Sequence, residues 1–178
     1  YLHPSLVFLY MNVKDIRMLR LVNQRIVGSA CSAFELVSYM GAMQAQDYAG
    51  ALWSIGLRTG LTQKEVVQAI EERKILRTWP QRGTLHFVSA VDAKWQVGLS
   101  AERLIRGVAS RHQRLGINES ILAKSESVLI KALRGGKVLS RSQIMETLEK
   151  EGIKTKDGNG YHTLWYLSQI GVLVAGPH

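Results

Sequence analysis

Four pairs along this chain set a Ser or Thr three positions before an acid or a Gln at the edge of a helix-like segment: Ser32 with Glu35, Thr62 with Glu65, Ser89 with Asp92, and Ser140 with Gln143. At that spacing the hydroxyl accepts a hydrogen bond from the first helical turn while the later side chain reaches back, so each pair marks a helix start. Glycines close several of the segments, at Gly28, Gly135–Gly136, Gly152 and Gly171. The chain is thereby cut into short helices, and the stretch from Leu76 to Val88 breaks that rhythm. Its residues, Leu-Arg-Thr-Trp-Pro-Gln-Arg-Gly-Thr-Leu-His-Phe-Val, are rich in β-formers around a turn signal at Pro80–Gly83.

Residues 14–27 place apolar side chains at Ile16, Leu19 or Leu21, Ile26 and Val27, the pattern of an amphipathic helix. Further helices are expected from Ser32 to Met40, from Tyr48 to Leu57, and from Gln63 to about Leu76. The hairpin follows, with Leu85 and Phe87 facing the core and Thr84, His86 and Arg82 turned the other way. Three helices and a two-stranded hairpin form the pattern of a winged helix. A strongly basic helix, Ser100 to Leu115, comes next. Asn118 opens a second unit: helices over 125–133, from Ser140 to Glu151 and over 161–170, then a strand at Val172–Val174. In that last helix Leu164 and Trp165 are core candidates, and His162, Thr163, Tyr166 and Gln169 are candidates for exposure. The expected fold class is mainly α with short β-hairpins (α+β), arranged as two tandem winged-helix domains, 11–117 and 118–178. The second has only one wing strand, so the chain reads as the front part of a longer protein. Met11 is a candidate start, with residues 1–10 as an upstream extension.

Hydrophobic residues at 46% and charged residues at 21% describe a globular chain. No apolar run is long enough to span a membrane. One cysteine, Cys31, excludes an intrachain disulfide and fits a cytoplasmic location. Neither Cys31 nor the histidines His3, His86, His112, His162 and His178 are spaced as metal ligands, and no phosphate-cradling glycine motif occurs. No metal and no cofactor is therefore expected. The net charge of +9 suits a polyanion such as double-stranded DNA. It is concentrated: between Arg73 and Arg114 nine Lys and Arg side chains stand against two acids, Asp92 and Glu102. Arg103 and Arg106 on the basic helix, with Arg77, Trp79, Arg82, Thr84 and His86 on or near the hairpin, are the candidate DNA contacts. A solvated helix face, or a hairpin buried between domains with His86 as a satisfied core histidine, is the competing reading.

The stretch Gly41-Ala42-Met43-Gln44-Ala45-Gln46-Asp47-Tyr48 sits between two helices, where packing alone would favour Gly, Pro, Asn or Ser. In extended or irregular backbone Gln44 and Gln46 point the same way and can hold one water or hydroxyl between them. Glutamine does not take up a proton near neutral pH, so it is a poor general base, but it can orient a water for attack. The same amides could instead cap the helix end or satisfy nearby backbone.

Met43-Gln44-Ala45-Gln46-Asp47, Leu52-Trp53, Arg77-Thr78-Trp79, Arg82-Gly83-Thr84-Leu85-His86 and Asp92 together resemble the tandem winged-helix DNA glycosylases, the AlkZ-like and YcaQ-like group. The similarity runs from about Ile16 to Pro177. That family releases alkylated bases and unhooks interstrand crosslinks, and carries a third winged helix and a β-barrel beyond the point where this chain stops. Its motif is Gln, an apolar residue, then Gln or Asp. The resemblance implies that Gln44 and Gln46 are catalytic and position a water against the anomeric carbon of an N7-alkylated purine nucleotide. Two other functions fit the residues alone: a non-catalytic winged-helix DNA-binding regulator, and an interaction module whose basic span contacts a protein. The oligomeric state and the natural lesion are not encoded in any of these features.

Overall fold

The computed structural model describes residues 12–28 and 31–176. Residues 1–10, Met11, Pro177 and His178, and with them both outer limits of the expected domains, lie outside the described residues. Among the described residues the order is α1 (Val13–Asn23), α2 (Ala33–Met40), β1 (Ala42–Gln44), α3 (Tyr48–Thr59), α4 (Gln63–Glu71), β2 (Ile75–Gln81), β3 (Thr84–Ser89), α5 (Ala93–Gly107), α6 (Ala109–Leu115), α7 (Glu119–Ala132), α8 (Arg141–Lys150) and α9 (Asn159–Gln169). The fold is mixed α+β, with one three-stranded antiparallel sheet in the order β1-β3-β2.

Local chemistry accounts for most of these boundaries. Ser32, Thr62 and Ser140 form reciprocal capping boxes with Glu35, Glu65 and Gln143, and Asn12 forms a fourth with Asp15. Each such cap contributes about 1 kcal/mol. Ser89 and Asp92 bond to each other as expected, but within the turn before α5, which begins at Ala93 without a side-chain cap. The hairpin turn is two residues long, Arg82 and Gly83, both at positive φ (49° and 69°). That is the pattern of a tight hairpin loop matching the twist of its strands. Pro80 falls inside β2 rather than in the turn. It is tolerated because β2 is an edge strand and its register shifts between Thr78 and Gln81.

The sheet and α2–α4 enclose a core of Leu36, Val37, Met43, Ile55, Val66, Ile75 and Phe87, all buried. A second cluster, Leu129, Leu148, Ile153 and Leu167, lies among α7–α9. Several expectations are corrected. The first helix stops at Asn23, with Arg25 at positive φ (56°), and buries none of its residues. The helix beginning at Gln63 ends at Glu71, because β2 already starts at Ile75. The basic helix starts at Ala93 and breaks at Val108 into α5 and α6. Residues 172–174 form no strand. Ala175 instead makes a single antiparallel bridge to Arg77, donating its N–H to the Arg77 carbonyl at 2.8 Å, so the tail closes on the open edge of the first sheet.

Helix α9 is used for packing. Thr163 and Gln169, candidates for exposure, are buried, and Gln169 Nε2 donates to the Trp79 carbonyl at 3.2 Å. Where α6 meets α9, the His112 ring stands edge-on to His162 at 5.4 Å, with Trp165 and Tyr166 also against it. His112 Nε2 and His162 Nδ1 are buried with no hydrogen-bond partner. Burial holds both rings below their usual value of 6.5, reinforced at His112 by His162 and at His162 by the Arg111 charge.

Such rings bind a proton less readily in the fold than in the unfolded chain. The unfolded state therefore takes up more protons between the lowered native value and 6.5. Their contribution is complete above 6.5 and lost as the pH falls through that window. The melting temperature should thus drop as the pH is lowered from about 7 to about 5. In His112→Phe that slope should flatten, as read by thermal unfolding monitored by circular dichroism; an unaltered slope would show that His112 does not carry the effect.

Candidate active site

The glutamine motif begins in a strand, not in a bare helix junction. Ala42, Met43 and Gln44 pair with Val88, Phe87 and His86 of β3. The ladder runs one residue further, as Ala45 N–H donates to the Leu85 carbonyl at 2.8 Å. The Gln46 side chain then completes it, its Oε1 accepting from Leu85 N–H at 3.3 Å. Met43 (7% exposed) and Ala45 (0%) point into the core, while Gln44 and Gln46 are exposed on the opposite side. The two amides therefore share one open face, as an i, i+2 pair in extended backbone requires.

Asp47 ends the strand and starts α3: its Oδ1 accepts from Gly50 N–H at 3.2 Å. A Cβ at position 50 would lie 2.5 Å from Asp47 Oδ2, so the glycine is what lets the carboxylate close on the helix end. Asp47 is thus engaged as a cap.

Behind the strand lies a side chain that sequence reasoning assigned to DNA. Arg77 is 8% exposed, and its Nε and Nη2 both donate to the Ala45 carbonyl, at 3.0 and 2.9 Å. Its guanidinium carbon stands 5.2 Å from the centre of the Tyr48 ring, which itself packs 6.0 Å from the Phe87 ring. Desolvation holds the Arg77 guanidinium below its ordinary value, partly offset by Tyr48. The register explains the inward turn: Arg77 lies opposite Phe87, and Phe87 opposite Met43, so all three share the core face.

The other candidates divide into two groups. His86 was expected to face outward with Thr84, but is 6% exposed, with Nδ1 bonded to the Thr84 carbonyl at 2.9 Å. It sits directly across the ladder from Gln44 and from Thr78. Thr84 is half-buried and its hydroxyl donates to Gln81 O; Trp79 is half-buried, with its carbonyl taken by Gln169. Arg82 at the hairpin tip, Arg103 and Arg106 are exposed; Arg106 stands 3.4 Å from Glu102.

Ala42, two residues before Gln44 on the same side of β1, lines a groove of about 440 Å³. The groove follows the flank of α5 from Met40–Ala42 to Pro80–Arg82. Gln96 Nε2 ties α5 to the Gly41 carbonyl at one end, and the Ser100 hydroxyl ties it to the Pro80 carbonyl at the other. Arg82, Arg103 and Trp95 open onto it, and no acid does. Trp95 is 55% exposed, with its indole N–H fixed to Asp92 at 2.8 Å. Sequence reasoning missed Trp95 and the inward role of Arg77. The alternation of Met43 and Ala45 with Gln44 and Gln46 was the available signal for the strand. Among the described residues no cluster of His, Cys, Asp or Glu could hold a metal ion, and no helix is long and apolar enough to cross a membrane.

Residues 37–178 match the family described as "DNA glycosylase AlkZ-like". The fold is similar to the solved structure of the Streptomyces sahachiroi DNA glycosylase AlkZ, with a TM-score of 0.73 at 23% identity. The similarity covers 89% of this chain and 44% of that one, so the chain spans less than half the length of the protein it resembles. No curated protein matches the sequence.

Because both glutamines project from the strand without entering the core, truncating them should leave the fold intact. Gln44→Ala and Gln46→Ala are each expected to change unfolding free energy by less than about 1 kcal/mol in urea titrations, the larger loss falling on Gln46, which gives up the Leu85 bond.

Proposed function

The chain belongs to the AlkZ-like DNA glycosylase family, and on that premise we propose that it serves a DNA repair enzyme that hydrolyses the N-glycosidic bond of N7-alkylated purine nucleotides, interstrand crosslinks included. The observation that carries this reading is the pair of exposed amides, Gln44 and Gln46, on one side of a strand whose other side is locked into the core.

The chemistry suits uncharged groups. Departure of a base passes through an oxocarbenium-like state, as in glycoside cleavage. A purine alkylated at N7 is already cationic, so when the C1′–N9 bond breaks its electron pair neutralises the leaving base and no general acid is needed. Gln44 and Gln46 orient one water toward C1′. In this reading the Gln44 carbonyl oxygen, and the lone pair of Gln46 Oε1 that the Leu85 N–H leaves unused, turn to the developing positive charge and stabilise it electrostatically. The water oxygen bonds to C1′ and its proton passes to solvent, since an amide does not accept it.

Double-stranded DNA is the proposed partner. In this reading Arg82 at the hairpin tip and Arg103 on α5, which open onto the groove, contact phosphates together with the exposed Arg106, with Trp79 and Thr84 on the hairpin and His86 across from Gln44 behind them. Two winged-helix units, 11–117 and 118–178, are the architecture proposed here. The separate core clusters of α2–α4 with the hairpin and of α7–α9 support that division.

An assay of base release from N7-alkylguanine duplex DNA tests the reading. Wild type should yield free base and an abasic site. Gln44→Ala and Gln46→Ala should each lower release by about 100-fold or more while retaining duplex binding. Release by the double variant at the wild-type rate would sink the glutamine mechanism; sequence-selective binding with no abasic product would favour a non-catalytic regulator.

Salt gives an independent check on the DNA surface. Contact with about five phosphates predicts a log–log dependence of affinity on salt of about −4 to −5. Affinity for duplex DNA that ignores salt would remove the basic groove from the proposal.

A further inference from the structure

The buried Arg77 is more than a core cation. It donates twice to one carbonyl, that of Ala45, and this carbonyl belongs to the Ala45–Gln46 peptide, which leads into the second candidate glutamine. Ala45 is the pivot of the motif: its N–H is held by Leu85, its side chain is fully buried, and its C=O is held by Arg77. With both ends of the residue fixed, the planes of the peptides on either side are fixed too. The directions in which Gln44 and Gln46 leave the strand follow from those planes.

The choice of a guanidinium is informative. Among the described residues no carboxylate pairs with Arg77, and desolvation works against its charge. A buried charge without a counter-ion is costly, and a carbonyl that only needed satisfying could be served by a neutral donor. What a guanidinium adds is a planar fork: two parallel N–H groups resist rotation of the carbonyl they hold, and its flat face can lie against Tyr48 at the same time. Lysine offers a charge without that plane.

We propose that Arg77 is a positioning residue for base release, one that acts on the reaction by fixing the Ala45–Gln46 peptide and hence the spacing of the two amides. It touches neither the water nor the sugar. The inference rests on the glycosylase reading above and adds a residue to its machinery. A misplacement of about 1 Å in groups that orient a reactant can cost about 100-fold in rate, so a loosened pivot should appear in turnover before it appears in binding.

The test uses Arg77→Lys, which keeps the charge and most of the length, and Arg77→Met, which removes both. Base release from N7-alkylguanine duplex DNA is followed to separate kcat from KM, and hydrogen exchange at the Ala45 amide is measured in the free protein. The expected result for Arg77→Lys is a kcat about 100-fold lower, a KM within about threefold of wild type, and Ala45 exchange at least about tenfold faster. Arg77→Met should match it or fall lower; should that variant fail to fold, the lysine variant decides. Wild-type kcat in Arg77→Lys, or a raised KM with kcat unchanged, would overturn the inference, the latter marking Arg77 as a DNA contact. An inactive wild type would instead bring down the glycosylase reading, and the positioning role with it.

Discussion

Gln44 and Gln46 can face outward together only because Ala45 between them faces inward and cannot turn. The residue has no exposed surface, and each of its backbone groups has a partner from a different strand: Leu85 of β3 for the N–H and Arg77 of β2 for the carbonyl. A larger side chain at this position would press into the core cluster that holds Met43 and Phe87, where overpacking distorts the backbone. Alanine is small enough to let the strand sit close to the core while both glutamines stay on its outer side. The core packing of α2–α4 and the hairpin, the capping by Asp47 and the inward Arg77 all bear on that one residue.

The same sheet connects the front of the molecule to the rear. Strand β2 is buried on both faces at Arg77 and Thr78. Its backbone receives the tail through Ala175, and the neighbouring Trp79 carbonyl receives α9 through Gln169. Helix α5, which carries Arg103 and Arg106, is tied to both ends of the groove by Gln96 and Ser100. The basic helix, the hairpin tip and the glutamine strand are therefore set against one another by short hydrogen bonds and not by loops.

How much of this was legible follows from the range of the interactions. Capping boxes at Ser32, Thr62 and Ser140 act over three residues, so the sequence shows them; the turn signal at Pro80–Gly83 is local too, though the turn itself occupies only Arg82–Gly83. The features that escaped are those set by partners far along the chain. Arg77 looks like a surface cation until its carbonyl partner, 32 residues earlier, is known. Gln169 looks like an exposed recognition residue until Trp79, 90 residues away, takes its amide. Residues 172–174 have the composition of a strand, but the edge of β2 offers the tail a single bridge at Ala175. The first helix keeps its amphipathic pattern without burying any residue, which composition alone does not distinguish from a packed helix.

The site also shows why uncharged groups suit this backbone. A carboxylate beside Arg77 would be drawn toward the buried guanidinium, which has no acidic partner of its own among the described residues. Amides feel that charge only as dipoles. Gln44 and Gln46 can therefore stay on the outer side of the strand, with Gln46 Oε1 held by Leu85 N–H, while the cation stays committed to the Ala45 carbonyl. Asp47, the acid nearest the motif in sequence, is engaged by the α3 terminus through Gly50. In this arrangement the positive charge anchors the strand from behind, the negative charge closes a helix, and the two side chains that the motif leaves exposed on the strand are uncharged. An uncharged pair is enough when the leaving base brings its own charge.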